Sequence, residues 1–453
     1  MPFTRRLVTL LTILALVGLP AVALRVFCVG NSCGETTTTT TRVPFCPLPD
    51  AIKQEISAGY YAGRSPDVMA VTKQPALAGT FDAGKTDVVS AWPAEDPPPD
   101  TSVPIVFSGQ GVASNAHVPN GTQLDAIAPS LADILRFTRK NPTVRSGIAV
   151  PHIVGGPAPR LVLEVAWKGV GSQDLRSDPK AWPYLRSLMR SGTGTLGGTT
   201  GSIPVDPTAS LTTIGTGGTP EEHGITGLLI RNNNATGAKA GKVVRAWGPE
   251  APPSVIATLA DDFDYDNAEA PKVGLVATGP EDRGLIGDGW YIGTDKDQIS
   301  YVKPSAEAAA AVKMLSTGFG KDAEPDILGV VLRDSIPHMD DQLRTIVEAA
   351  QRASGGSVTV AVAGTGAAAA TKASSSASPS SIISTVEQRV KGTEPVVQAA
   401  IPGGLFLDQQ TLQAEDISPQ TVVTTLLGLK SPSGGPLLAD AFPGFAISFA
   451  RYC

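Results

Sequence analysis

The strongest constraint on the fold is the alternation of short apolar strands with helices in the middle of the chain. Apolar runs predict buried strands at 160–165, 273–277, 327–332 and 358–362 of the 453 residues. Helical patterns at 306–315 and 341–352 lie between these runs, and such alternation is typical of a mainly parallel sheet. The sequence therefore predicts an α/β fold, with helices on both faces of a mainly parallel sheet.

Further elements are predicted on either side of this alternation. Strands are expected at 67–71 and 103–107, and helices at 127–137 and 181–189. Another helix is expected at 207–214, because Asp206 is a suitable N-cap and Pro207 suits the first helical position.

The first residues have the pattern of a secretory signal peptide. Arg5 and Arg6 precede an apolar run at 7–19, and an Ala-Val-Ala sequence ends at Ala23. A basic start, a short apolar stretch and an Ala-x-Ala site are typical of a cleaved signal. We therefore expect cleavage after Ala23 and a secreted or extracytoplasmic protein. The alternative is an uncleaved membrane anchor, because the apolar run is about long enough to span a bilayer.

Composition narrows the class of protein further. The formal net charge is -6, and only 17% of the residues are charged. An acidic chain of this kind has no electrostatic surface for nucleic acid, so no nucleic-acid partner is expected. The 48 glycines and 38 prolines indicate a globular protein rich in loops.

Four cysteines lie near the two ends of the expected mature chain: Cys28, Cys33, Cys46 and Cys453. An even number of cysteines in an exported protein predicts disulfides. Three pairings are possible, and we favour Cys28 with Cys33 and Cys46 with Cys453, since this would tie the chain ends together. A zinc site is the alternative, although no histidine lies near these cysteines at ligand spacing.

The segment at 206–225 has the most specific pattern in the chain. Its distinctive residues are Thr216, Gly217, Pro220, His223, Gly224 and Ile225. The segment resembles the alkaline phosphatase superfamily, and most closely its type I phosphodiesterase/nucleotide pyrophosphatase branch. The resemblance implies an alkaline-phosphatase-like fold and phosphoryl or sulfuryl transfer to a Thr or Ser, assisted by two metal ions, usually zinc.

A second resemblance is out of order along the chain. The segments at 64–68, 103–109 and 124–132 resemble the end of the family's sequence but precede the core here, which implies a circular permutation. The implied organisation is a signal peptide at 1–23, a Cys/Thr-rich segment at 24–59 and one α/β domain at 60–453. Within that domain we expect a C-terminal-like element at 64–137, the core at 160–365, a flexible Ala/Ser-rich loop at 366–381 and a final segment at 382–453.

Most of the metal ligands that the resemblance implies are replaced. Lys168 stands where an Asp is expected after the first strand, and Glu164 would serve only after a shift in register. The Asp-His-Gly element after the strand at 358–362 is replaced by glycines and Thr365, and no histidine stands near Pro93.

Two positions keep part of the expected chemistry. Asp334 and His338 have the Asp-x-x-x-His spacing after the strand at 327–332, and they are the tentative metal ligands. The nucleophile position falls on Pro207, so Thr208, one residue later, is the tentative nucleophile or phosphate contact, with a hydroxyl exposed near the helix start. His223 is expected to have a structural role, with hydrogen bonds to backbone carbonyls.

The ligand count favours an exported, catalytically degenerate relative that binds a ligand or partner in the cell envelope. Two ligands would not hold a catalytic zinc, which typically takes three protein ligands and a water. The alternative is an active metal-dependent phosphodiesterase or phosphatase that uses zinc or another divalent metal and a Thr nucleophile. A purely structural envelope protein is a third hypothesis. A phosphoester small molecule and a cell-envelope component both remain open as partners.

Overall fold

A computed structural model describes residues 45–72, 76–79, 88–91, 101–234, 236, 240–291, 296–366, 375–376, 379–401, 403–430 and 434–448. These residues lie in one compact unit, residues 43–453. The expected signal peptide and three of the cysteines (Cys28, Cys33 and Cys453) lie outside the described residues, as does most of the predicted loop at 366–381.

Strands and helices alternate through most of the unit. The strands are β1 (Val68–Thr72), β2 (Ala76–Gly79), β3 (Val88–Ala91), β4 (Ser102–Gly109), β5 (Leu161–Trp167), β6 (Thr193–Thr199), β7 (Leu229–Arg231), β8 (Val243–Arg245), β9 (Val273–Ala277), β10 (Gln298–Tyr301), β11 (Asp326–Leu332), β12 (Val358–Gly364), β13 (Ser375–Ser376), β14 (Val397–Ile401), β15 (Gly404–Leu407) and β16 (Leu438–Pro443). The helices are α1 (Asp50–Ala58), α2 (Ile127–Leu135), α3 (Ser172–Ser177), α4 (Pro183–Ser191), α5 (Pro207–Thr216), α6 (Pro220–His223), α7 (Leu259–Asp266), α8 (Glu307–Leu315), α9 (Ile336–Ser354), α10 (Pro379–Val390), α11 (Gln409–Ala414), α12 (Pro419–Leu427) and α13 (Phe445–Ser448).

The central sheet has seven strands in the order β10-β9-β11-β5-β12-β4-β6. The first five strands in this order are parallel to one another, whereas β4 is antiparallel to both of its neighbours. The prediction of an α/β fold with a mainly parallel sheet is therefore confirmed.

Helices cover both faces of this sheet, as β5 illustrates. Its side chains are buried along the whole strand, because alternate residues enter two different cores. Val162 and Ala166 pack with α2, α5 and α7 on one face. Leu163 and Trp167 pack with α4, α8 and α9 on the other face.

A smaller antiparallel sheet has the order β14-β15-β1-β16 and packs against α10 and α12. It joins β1, from the first part of the chain, to three strands from the last part. The segment at 64–137 therefore contributes to three sheets, since β4 lies in the central sheet and β2 and β3 lie in a small sheet with β13.

The largest difference from the predicted elements concerns α9, which begins at Ile336 and not at 341. Ser335 is its N-cap and Pro337 lies in its first turn, a position that proline favours. His338 therefore lies on a helix and not in the loop before one. Among the described residues, no helix has the length and apolar character needed to cross a membrane.

Candidate functional site

The carboxyl ends of the parallel strands meet at one edge of the central sheet, where sites of open α/β folds usually form. Lys168 follows β5 at this edge, and its backbone N–H donates to the carbonyl of Leu332 at the end of β11. Its Nζ lies 2.5 Å from Asp282 Oδ1 and 3.7 Å from Glu281 Oε1. A lysine ammonium is thus ion-paired with two acids at the edge where the family resemblance implies a metal.

Asp282 is held firmly as the partner of Lys168. It lies in a 3₁₀ turn, Pro280–Leu285, just after β9, and its side chain is fully buried. Its Oδ2 accepts hydrogen bonds from the backbone N–H and the hydroxyl of Thr278, at 3.3 and 3.2 Å. Both carboxylate oxygens are therefore occupied by donors of this chain.

The start of α5 lies beside the same edge and is closed by Asp206. The Asp206 carboxylate accepts the backbone N–H groups of Thr208 and Ala209, as predicted for an N-cap. It also accepts the N–H of Leu228 at 3.1 Å. Burial raises the pKa of Asp206, and these N–H groups and the charge of Lys168 oppose the rise.

Thr208 is buried rather than exposed at this helix start, with 2% of its surface accessible. Its carbonyl accepts a hydrogen bond from the Thr212 hydroxyl at 2.9 Å. The expectation of an exposed hydroxyl was wrong, because the first turn of α5 packs into the protein. The Asp206 carboxylate takes the N–H groups that a phosphate would use.

The strand end of β12 carries Thr365 where the resemblance implies an Asp-His-Gly element. The Thr365 hydroxyl accepts the N–H of Gly169 at 2.8 Å, and its carbonyl accepts the Ser210 hydroxyl at 2.9 Å. Thr365 therefore links β5, β12 and α5 through neutral hydrogen bonds.

Asp334 and His338 pair with each other at the start of α9. His338 Nδ1 lies 2.7 Å from Asp334 Oδ2, and about half of the histidine side chain is exposed. The Ser305 hydroxyl also donates to Asp334, and this bond lowers the pKa of Asp334 more than any other cause. Among the described residues, no group of three or more His, Cys, Asp or Glu side chains is arranged to hold a metal ion.

The segment of α5 and α6 is built around His223, which is fully buried. Its Nδ1 accepts the N–H of Ile225 at 3.1 Å, so Nε2 carries the proton and donates to the Thr213 hydroxyl at 3.1 Å. These partners differ from the carbonyls expected from the sequence. Burial, with a smaller contribution from the charge of Arg64, lowers the pKa of His223 to about 3.

Glycines end both helices of this segment. Gly217 after α5 and Gly224 after α6 have φ angles of 71° and 74°, which suit glycine. Pro220 opens α6, and the Thr216 hydroxyl donates to the carbonyl of Thr212 at 2.6 Å. The distinctive residues of the segment therefore shape the backbone.

Sequence reasoning missed two arginines that hold the end of α5. Arg139 and Arg145 both bond to Asp262, at 2.8 and 3.1 Å, and both donate to the carbonyl of Thr216. Asp262 is fully buried on α7. The arginines lie 117 or more positions from Asp262 in the sequence, so no local pattern joins them.

Glu164 lies halfway along β5 and not at its carboxyl end. Its side chain points into the core that contains Ile127, Ile214 and Leu285, where a small cavity remains. Its Oε2 has no hydrogen-bond partner among the described residues, and burial raises its pKa to about 8. Glu164 therefore does not reach the edge at which a metal ligand is implied.

No family model and no curated protein sequence matches the chain. Among solved structures, the chain is similar to wild-type alkaline phosphatase PafA, with a TM-score of 0.44 and 12% identity over 60% of this chain and 76% of that one. It is also similar to phosphonoacetate hydrolase from Sinorhizobium meliloti 1021, with a TM-score of 0.30 and 19% identity over 47% of this chain and 57% of that one. Likenesses this distant do not establish an activity.

Proposed function

We propose that the chain is an exported, non-catalytic relative of the alkaline phosphatase superfamily that binds a ligand or partner in the cell envelope. The observation that carries this proposal is the buried ion pair between Lys168 and Asp282. The resemblance implies an acidic metal ligand at position 168. A charged lysine donates hydrogen bonds but has no lone pair for a metal, and here it pairs with the buried carboxylate of Asp282. The residues at this edge therefore do not fit a metal ion.

The start of α5 supports the same proposal. A phosphoryl group approaching the helix would meet the Asp206 carboxylate, which already accepts the free N–H groups of the first turn. The negative charges of the phosphoryl group and of Asp206 repel each other, and Thr208 is buried. The nucleophile position thus has neither an open hydroxyl nor an open site for an anion.

Circular permutation and export belong to the same proposal. The segment that resembles the family's C-terminal element supplies β4, which pairs with β12 and β6. At the other end of the unit, the N–H of Phe45 donates to Asp440 Oδ2 on β16 at 2.9 Å. Cys46 is the next residue, and its position near the last strand supports the proposed disulfide with Cys453.

An active metal-dependent phosphoesterase is the alternative, and the pairing of Asp334 with His338 is the observation that favours it. The test is turnover of p-nitrophenyl phosphate and bis-p-nitrophenyl phosphate by the purified chain, with added zinc or manganese. We expect no turnover above that of buffer. Turnover that Asp334→Ala abolishes, and that the exposed neighbour Asp341→Ala preserves, would establish the enzyme instead.

A further inference from the structure

Three polar side chains meet where the loop at 138–150 crosses the ends of α5 and α6. Ser146 Oγ lies 2.9 Å from Asp125 Oδ2 and 3.0 Å from Glu222 Oε2. A serine hydroxyl has one hydrogen, so it cannot make a full hydrogen bond to both carboxylates at once. A second full hydrogen bond therefore needs a proton on one of the two carboxyl groups.

The two carboxyl groups differ in their burial and in their hydrogen-bond partners. Glu222 Oε2 accepts the N–H of Thr219 at 2.8 Å and the N–H of Ser146 at 3.0 Å, so two backbone donors already point at this oxygen. Asp125 is 5% exposed. Burial raises the pKa of Asp125 to about 6. The bond to Ser146 opposes this rise, the charge of Glu222 adds to it, and the backbone N–H groups of Ala126 and Asp125 oppose it by smaller amounts.

We propose that Asp125, Ser146 and Glu222 form a proton-dependent latch. In the closed latch, protonated Asp125 donates to Ser146 Oγ, and the Ser146 hydroxyl donates to Glu222. When Asp125 loses its proton to solvent, two carboxylates compete for one hydrogen and repel each other. The contact is then weakened, and the loop at 138–150 is released.

The latch holds a loop that packs tightly against the segment of α5 and α6. The N–H of Gly147 donates to the carbonyl of Gly217 at 3.0 Å, and a Cβ at position 147 would lie 2.1 Å from the Asp125 carbonyl. The same loop carries Arg145, which bonds to Thr216. Release of the latch therefore loosens the part of the loop that holds the end of α5.

Few other charges act on Asp125. From α6 the group that faces it is Glu222, and α5 has no charged residue. Asp133 on α2 is exposed, and the arginines of the loop face Asp262. The titration of Asp125 is therefore governed by burial, the bond to Ser146, the charge of Glu222 and the backbone N–H groups of Ala126 and Asp125.

The test is the hydrogen-exchange protection factor of the Gly147 amide in the full chain, measured at pH 5 and pH 7.5. In the wild type we expect the protection factor to fall about tenfold or more between pH 5 and pH 7.5, since each unit of pKa shift corresponds to about a tenfold change in an equilibrium constant. Asp125→Asn supplies a donor at every pH, so its protection is expected to be independent of pH. Asp133→Asn is the matched control, which is expected to behave as wild type. Equal protection at both pH values in the wild type, or an unchanged pH dependence in Asp125→Asn, overturns the proposal.

A second measurement covers the case in which Asp125→Asn does not fold. The carboxyl carbon of Asp125 is titrated by NMR in the wild type and in Glu222→Gln. A midpoint near 6 that decreases in Glu222→Gln supports the latch. A wild-type midpoint near the ordinary aspartate value, or one that Glu222→Gln leaves unchanged, overturns it.

Discussion

The α5–α6 segment and the region of strand β5 use their polar residues in different ways. The segment has glycines, a proline and His223, which form helix caps and a buried hydrogen-bond network. The region of β5 instead has Lys168 at the strand end and Glu164 inside the strand, where Oε2 has no hydrogen-bond partner among the described residues. The difference indicates that the α5–α6 segment satisfies its buried polar groups by hydrogen bonds, whereas the end of β5 depends on a buried ion pair, whose loss would leave a buried charge without a partner.

The largest expected effect is a loss of folding stability at alkaline pH, and it originates in Glu164 of β5. Glu164 has a folded pKa of about 8, above its ordinary value, so stability from its neutral form is lost as pH rises from about 4.5 to 8. The loss is expected to be on the order of 5 kcal/mol. Glu164→Gln should flatten this alkaline decline in urea unfolding at pH 5, 7 and 9. An unchanged alkaline decline in the variant would contradict the conclusion that Glu164 is buried in its neutral form.

His223 should show the opposite dependence on pH. Its folded pKa of about 3 lies below the ordinary value, so stability is lost as pH falls from about 6.5 towards 3. The magnitude is also expected to be on the order of 5 kcal/mol. His223→Gln should lower stability at pH 7 and flatten the acid decline, measured by urea unfolding. An acid decline as steep as that of the wild type would remove His223 as its source.

Removal of the Lys168 ammonium tests the ion pair at the carboxyl end of β5 directly. Lys168→Met leaves the buried Asp282 without its charge partner, which should cost about 3 to 5 kcal/mol in the free energy of unfolding. The matched control is Lys53→Met, because the partner of Lys53, Asp50, is exposed. We expect the control to change little. Equal effects of the two substitutions would show that the Lys168 pair contributes no more to the free energy of unfolding than an exposed pair.

The smallest expected effect concerns the helix cap. Asp206→Ala removes the acceptor for the first N–H groups of α5 and should cost about 2 kcal/mol, at the upper end for an N-cap. Ser418→Ala, at the N-cap of α12, loses one such bond and should cost about 1 kcal/mol. Chemical denaturation of both variants measures the difference. A larger loss in Ser418→Ala would contradict the role given to Asp206.

The sequence predicted features that depend on local patterns, and it failed where distant residues meet. The strand Val273–Ala277 and the cap at Asp206 follow from apolar runs and neighbouring residues. Lys168 and Asp282 are 114 positions apart, so their pairing could not be found from spacing. The pairing of β1 with β16 is likewise a contact between the two ends of the chain.

The metal content of the purified chain tests the central account most directly. Protein incubated with zinc and freed of unbound metal by gel filtration is analysed by plasma mass spectrometry, as wild type and as Asp282→Asn. We predict much less than one zinc per chain in both proteins, because Lys168 and Thr278 already engage the Asp282 carboxylate. One or two zinc ions per wild-type chain, lost in Asp282→Asn, would contradict the account.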